Sequence, residues 1–407
     1  MNYVIIGNSV CGIATVEGIR KLDKKGKITL IGNEKYKAYS RPLISYLIEG
    51  KTDLNKINYR SDEFYEENKV HTVFGKKVVK IDNDEKKVVL DNGKEIFFDK
   101  LMVATGSKPF IPPIAGYETV KNKTSFMTID DAKYLMEHID ISKNVLIMGA
   151  GLIGLKCAEC LLGKVKFISV VDLADRVLPS ILKKEEAKSV QDVLEEKGVK
   201  FYLENSVASF EKNVAFLKDE QVLPFDILVT AVGVRPNVEL VKEIGGVVNR
   251  GIVINDKCET SLKDIYAGGD CAETFDISFG DKRVLAILPN AYLEGETAGE
   301  NMAGGNKTFD NAIPMNSIGF FGFHIISAGT YDGEKIAIEE DGNKRIFYVK
   351  DDLLKGYMLI GKVDKAGIYT SLIRNKTKLS TIDFNAIIKE PSLICFDKKR
   401  RDEILTN

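Results

Sequence analysis

Two short stretches of this chain carry residue types that can hold phosphate. Gly7-Asn8-Ser9-Val10-Cys11-Gly12 follows the apolar run Tyr3-Val4-Ile5-Ile6, and Gly149-Ala150-Gly151-Leu152-Ile153-Gly154 follows Val145-Leu146-Ile147-Met148. Each reads as a strand, a tight turn and the start of a helix. Glycine at the first position allows the sharp turn, a small second residue lets a pyrophosphate approach the backbone, and the third glycine lets helix and strand pack closely. The phosphates then face the positive end of the helix. Ser9 stands in place of the middle glycine of the first turn and is small enough to serve. Asp172 closes the strand Phe167-Ile168-Ser169-Val170-Val171, where a carboxylate can accept hydrogen bonds from a ribose diol. Glu34 is the matching acid of the first turn, displaced past Gly32, which holds the usual strand-end position; an exposed loop acid is its other reading. Two such units imply two bound dinucleotides, and two dinucleotides in one chain imply electrons passing between them.

The elements that must position these residues follow from the pattern of apolar runs. After the first turn a helix is expected over 13–22 and a strand over 27–31. Strands over 78–81, 87–90 and 95–98 form a meander, with Asp91-Asn92-Gly93 as a hairpin turn. The apolar run Leu101-Met102-Val103-Ala104 reads as a buried strand and stops at Thr105-Gly106, after which Pro109, Pro112 and Pro113 mark a boundary. The second block repeats the plan: strands 144–148, 166–171 and 199–203, helices 152–163 and 183–197, later strands near 214–217 and 226–231. It ends at Ala231-Val232-Gly233-Val234-Arg235-Pro236, much as the first ended at Ala104-Thr105-Gly106-Ser107-Lys108-Pro109. Then come Ile265-Tyr266-Ala267-Gly268-Gly269-Asp270, a helix near 290–303, and from about 313 strand-like runs with one helix near 364–375.

Composition bounds what such a chain can be. With 407 residues, 44% hydrophobic and 29% charged, it reads as an ordinary globular protein of two or three domains. A formal net charge of -1 gives no support to a nucleic-acid or anionic-membrane partner. No apolar run approaches the ~18 residues of a membrane helix, and a first strand starting near residue 3 leaves no room for a signal peptide. Six scattered cysteines fit a reducing cytoplasm, and the cysteines and three histidines show no metal-ligand spacing, so no metal is expected.

Several residues invite a chemical role. Asp270 follows two glycines after an apolar strand and could bond a sugar-alcohol chain; a turn aspartate is the plain alternative. The helix from Asn290 could aim its N-terminus at the same ligand. A carboxylate at Asp172 favours a free 2′-hydroxyl over a 2′-phosphate, because like charges ~4 Å apart repel by about 4 kcal/mol at an effective dielectric of 20. Arg176 is a phosphate partner that cuts the other way; NADH is expected over NADPH. Cys157-Ala158-Glu159-Cys160 lies inside a helix that needs small residues, and the cysteines read as packing groups rather than a redox pair.

Taken together, these motifs resemble the two-dinucleotide flavoprotein pyridine-nucleotide oxidoreductases over nearly the whole chain. The resemblance implies an α/β fold with two Rossmann-like domains and a C-terminal α+β interface domain: FAD on 1–114 and 238–312, NAD on 115–237, and the interface domain on 313–407. It implies that Gly7, Asn8, Ser9 and Gly12 cradle the FAD pyrophosphate, Glu34 its ribose, Val78 its adenine and Asp270 its ribitol, with Arg41, Pro42, Ala104, Thr105, Gly106 and Asn290 also in the FAD site. Gly149, Gly151, Ile153, Gly154, Asp172 and Gly233 would hold NADH. Within the family, Tyr39-Ser40-Arg41-Pro42-Leu43-Ile44-Ser45 looks like the flavin-facing segment of rubredoxin reductases, ferredoxin reductases and the flavin module of assimilatory nitrite reductases. Pro42 aligns where the disulfide and peroxide branches carry a redox cysteine. Tyr46 stands where ferredoxin reductases often have lysine and Lys156 where they often have glutamate, so that pair is not expected.

The resemblance therefore implies a cytoplasmic FAD-dependent oxidoreductase, monomer or homodimer, that passes electrons from NADH to a small rubredoxin- or ferredoxin-like protein. Arg41, Tyr46 and Lys156 are the catalytic candidates. The alternatives are a thiol-independent NADH oxidase and a flavin-bearing NADH-sensing subunit of a larger redox complex.

Overall fold

The computed structural model describes residues 1–392 and 395–396. They form two compact units, one from Met1–Glu34, Asn68–Gly106 and the chain from Val238 onward, the other from Lys35–Glu67 and Ser107–Asn237.

The first unit is built on a five-stranded parallel sheet in the order Ile265–Ala267, Lys100–Val103, Asn2–Ile6, Lys27–Gly32, Val70–Phe74. Its strands are apolar because both faces are covered; Val4, Ile5, Leu30, Leu101 and Met102 are all buried. The helix Val10–Leu22 leaves the central strand and packs along the helix Leu288–Met302. A second, three-stranded sheet, Val78–Asp82, Lys87–Leu90 and Glu95–Phe97, is the expected meander. The C-terminal part of this unit is a five-stranded antiparallel sheet in the order Met315–Phe320, Phe323–Gly329, Leu353–Ile360, Asn343–Lys350, Glu334–Glu340. The helix Ala366–Arg374 packs on it through Tyr369, Leu372 and Ile373, against Phe347, Tyr357 and Leu359. The end of the expected 313–407 segment, including 397–407, lies outside the described residues.

The second unit repeats the parallel plan in the order Val199–Tyr202, Phe167–Val171, Asn144–Met148, Ile227–Thr230, Lys123–Thr124. The two proline-bearing stretches that close the sequence blocks pair with each other: Ser107–Pro109 runs antiparallel to Val234–Pro236. The helix expected over 152–163 spans Leu152–Leu161, because Leu162 leaves helical geometry and Gly163 turns the chain at φ 75°. Three helices of this unit lie in stretches with no helix expected: Ile44–Glu49, the single turn Phe64–Glu67, and Ile129–His138, which opens on a capping box of Thr128 and Asp131.

Candidate functional site

Both glycine turns stand at the carboxyl end of a central parallel strand, between neighbours on either side, where ligands of open α/β sheets bind. The geometry is repeated bond for bond. The Gly7 amide donates to Ile31 O (2.8 Å) and the Gly149 amide to Val171 O (2.8 Å); Ala104 donates to Ile6 O and Ala231 to Met148 O, each at 2.8 Å. Gly7 (φ 125°) and Gly149 (φ 109°) occupy backbone that only glycine adopts readily. A Cβ on Gly7 would overlap the Ala104 carbonyl and one on Gly149 the Ala231 carbonyl; a Cβ on Gly12 or Gly154 would overlap the carbonyl of its own turn's first glycine. Ser9 and Gly151 are the N-caps, and neither helix start has a side-chain cap. The first amides of each helix are thus left for an outside acceptor. Around Gly151 no heavy atom lies within 4 Å of an added Cβ, which leaves room for a ligand to approach.

The acids differ between the turns. Asp172 is tied to its own turn: its carboxylate accepts from the Ala150 amide at 2.6 Å and the Ala174 amide at 2.8 Å. Arg176 is engaged by Asp175 at 2.5 Å and donates to the carbonyls of Leu182 (3.1 Å) and Pro179 (3.5 Å). It is committed to its own loop, which weakens its reading as a phosphate partner. Glu34 lies two residues past the strand end, and its backbone carbonyl accepts from Gly75.

Asp270 sits in a short 3-10 turn, Gly269–Cys271, directly after the edge strand Ile265–Ala267 of the first unit. Asn290 is fully buried in the helix Leu288–Met302; its amide donates to Ile313 O at 3.2 Å while its Oδ1 is buried without a partner. Val78 is also buried, paired opposite Leu90. Ala104 is buried, and Gly106 (φ 63°) and Gly233 (φ 105°) are left-handed glycines with open space beside them, ahead of the paired 107–109 and 234–236 stretches.

The three catalytic candidates fall in the second unit. Arg41 opens a 3-10 turn, Arg41–Leu43, and its guanidinium donates to Met127 O (2.8 Å) and Tyr39 Oη (3.2 Å) while stacking over the Tyr39 ring. Pro42 is the second residue of that turn. Tyr46 follows on the helix Ile44–Glu49, 41% exposed, with the Lys51 ammonium over its ring. That helix packs on Leu152–Leu161, which carries Lys156. Lys156 pairs with Glu159 one turn on, at 2.6 Å. The packing of these two helices brings Tyr46 and Lys156 onto neighbouring elements, a proximity that local sequence patterns did not show.

A family model described as pyridine nucleotide-disulphide oxidoreductase matches residues 1–295. The chain belongs to this family. It is 31% identical to the assimilatory nitrate reductase electron transfer subunit of Bacillus subtilis over 92% of its length, and spans about half (49%) of that longer relative. It is 34% identical to an NADH oxidase of Methanocaldococcus jannaschii, over 76% of this chain and 71% of the relative. A crystal structure of a covalent putidaredoxin reductase–putidaredoxin complex matches the fold with a TM-score of 0.86 at 23% identity, covering 100% of this chain and 98% of the other. The fold class is therefore α/β of the two-dinucleotide kind, as the sequence implied.

All six cysteines are buried and unpaired. Cys157 and Cys160 face the interior at 0% and 1% exposure, and the Cys160 thiol donates to Cys157 O at 3.2 Å. Burial pushes the Cys157 thiol well up, the reverse of what a thiolate nucleophile needs. One group escaped the sequence reading: Glu294, buried on the helix Leu288–Met302. Its signal was available, since Ala291, Glu294, Gly295 and Ala298 recur at helical spacing on the face where an acid is out of place.

Proposed function

We propose that this chain is a cytoplasmic FAD-dependent oxidoreductase that takes hydride from NADH and delivers electrons to a small electron-transfer protein. The observation that carries the reading is the duplicated phosphate turn, one copy in each unit, with the same two backbone bonds and the same overlaps that exclude any side chain at the first and third glycines. FAD, when bound, would supply chemistry that side chains alone lack: it can take the two electrons of one hydride and give them up singly.

On this reading FAD is held by 1–114 and 238–312, NADH by 115–237, and 313–407 forms an interface domain. Gly7, Asn8, Ser9 and Gly12 bind pyrophosphate through backbone amides, and Asp270 bonds the ribitol. Gly149, Gly151, Ile153 and Gly154 do the same for NADH, with Asp172 oriented by the Ala150 amide toward a ribose. Arg41, Tyr46 and Lys156 position the reacting rings. Pro42, in place of a redox cysteine, supports an outward path for electrons, as does the name of the Bacillus relative, an electron transfer subunit. The named activity of the archaeal relative favours a second reading, in which oxygen is the acceptor.

The purified chain should be yellow, with flavin absorbance near ~450 nm, and NADH should bleach it. Recolouring by a rubredoxin- or ferredoxin-type protein faster than by air supports the electron-carrier reading. Recolouring by air alone moves the assignment to the oxidase, and failure to bind FAD after reconstitution overturns both.

A further inference from the structure

Glu294 is a buried acid that the reading above does not use. Its side chain is 2% exposed, and its Oε2 accepts a 2.6 Å hydrogen bond from the Gly269 amide. Gly269 lies in the left-handed region (φ 74°), one residue before Asp270. The turn has little freedom. A Cβ on Gly268 would stand 2.9 Å from Cys11 Sγ, 3.1 Å from Glu294 Cβ and 3.1 Å from Met102 Cε. The turn is thus wedged between the helix of the first glycine turn, the strand Lys100–Val103 and Glu294.

The titratable groups facing Glu294 are Asp270 on the turn, Cys11 on the helix Val10–Leu22, and Cys258. Both thiols are pushed up by burial and are neutral. The described ion pairs of this helix are made elsewhere on it, by Glu296 and Glu300 with Lys21 and Lys307. We propose that Glu294 is a positioning residue: by holding the Gly269 amide it sets the turn that presents Asp270, and so governs affinity for a flavin dinucleotide that it does not itself touch. This rests on the assignment of the first glycine turn and Asp270 to FAD.

The environment gives the role a signature that simple packing lacks. Burial, with the Asp270 charge adding to it, pushes the Glu294 carboxyl up to about 8 against the pull of the Gly269 amide. A neutral carboxyl still accepts that amide through its carbonyl oxygen. An ionised one would set a second anion beside Asp270, close to a turn meant for pyrophosphate. Ionisation of Glu294 and binding of the dinucleotide therefore oppose each other, and affinity falls as pH rises past about 8.

The test is titration of the full-length apoprotein with FAD, followed by flavin fluorescence, from pH 6 to 9. Wild type should weaken at least ~3-fold between pH 7 and 9, and Glu294→Gln, which keeps an acceptor and cannot ionise, should stay within ~2-fold across that range. Glu294→Leu, which leaves the Gly269 amide without its acceptor, should bind FAD roughly tenfold more weakly at pH 7. A pH-independent wild type, or a Glu294→Gln variant that weakens as wild type does, overturns the inference even if the leucine variant fails to fold. A wild type that binds no FAD at any pH overturns the FAD assignment, and with it the inference, which keeps the two failures apart.

Discussion

The two glycine turns share their backbone down to individual hydrogen bonds, yet the helices that follow them are set in different surroundings. Behind the first turn, glycines on both helices remove the side chains between them: a Cβ on Gly18 would overlap Glu296 O, one on Gly295 would overlap Cys11 O, and one on Gly299 would overlap Thr15 O. Tyr292 Oη reaches Glu17 at 2.9 Å, and Lys21 bridges Glu296 and Glu300 across the pair. Behind the second turn the helix Leu152–Leu161 buries ordinary side chains, Leu155, Cys157, Ala158, Cys160 and Leu161. A phosphate-binding turn needs only its own three small residues. What stands behind it is free to vary, and here it makes the first turn rigid by close backbone approach and leaves the second to side-chain packing.

The sharpest way to break this comparison is to add volume behind the first turn. Gly295→Leu forces Cys11 O aside and should destabilise the protein by about 3 kcal/mol or more, with loss of bound FAD, read by thermal unfolding and flavin content. At the second turn Gly151→Ala meets no atom within 4 Å; it should leave Tm nearly unchanged while NADH reduces the flavin roughly tenfold more slowly, because the added methyl stands where the phosphate approaches. Equal loss of stability in the two variants would refute the contrast.

Next in size is cofactor preference. Asp172→Ala should shift the ratio of NADPH to NADH efficiency by about tenfold or more, since it removes the repulsion of a 2′-phosphate. Asp175→Asn in the same background should add to the shift by releasing Arg176. The measurement is flavin reduction with each nucleotide; a wild type that already prefers NADPH refutes the role given to Asp172.

A further effect, read by pH, belongs to the first unit. The folded-state position of Glu294, about 8, lies above that of an unfolded glutamate, so the folded protein holds an extra proton between the two values. Its contribution to stability is therefore full at acid pH and is lost as pH rises, by about 1.4 kcal/mol per unit at most, until it levels off above about 8. Unfolding of the apoprotein at pH 5 to 8, compared with Glu294→Gln, should show the variant losing less. The smallest expected effect is that of Cys157→Ala with Cys160→Ala, which should cost about 1 kcal/mol each in stability and leave electron transfer within a few-fold of wild type. Loss of acceptor reduction with the fold and FAD intact would make these thiols redox partners.

Much of the scaffold was legible because its signals are local. The apolar runs at 144–148 and 167–171 became parallel strands, and the meander formed around Asp91-Asn92-Gly93. The segment 35–67 was not legible in that way. Tyr39 Oη accepts from the Ile129 amide (3.2 Å) and Arg41 donates to Met127 O, contacts with residues far away in sequence that place the segment with the second unit. The pairing of 107–109 with 234–236 was hidden for the same reason, although the likeness of the two stretches was visible.

The sequence by itself determined the two turns, because a left-handed backbone pressed against a carbonyl admits only glycine, and that restriction is written at Gly7 and Gly149 without reference to any partner. It also determined the parallel strands, through runs of apolar residues that water disfavours on either face. Only the tertiary structure decided which charges are free to act. Asp172, Arg176 and Glu294 are all plain ionisable residues in the sequence. Folding turns the first toward the Ala150 amide, binds the second to Asp175 and two carbonyls, and buries the third against Gly269, since desolvation and pairing depend on neighbours through space rather than along the chain.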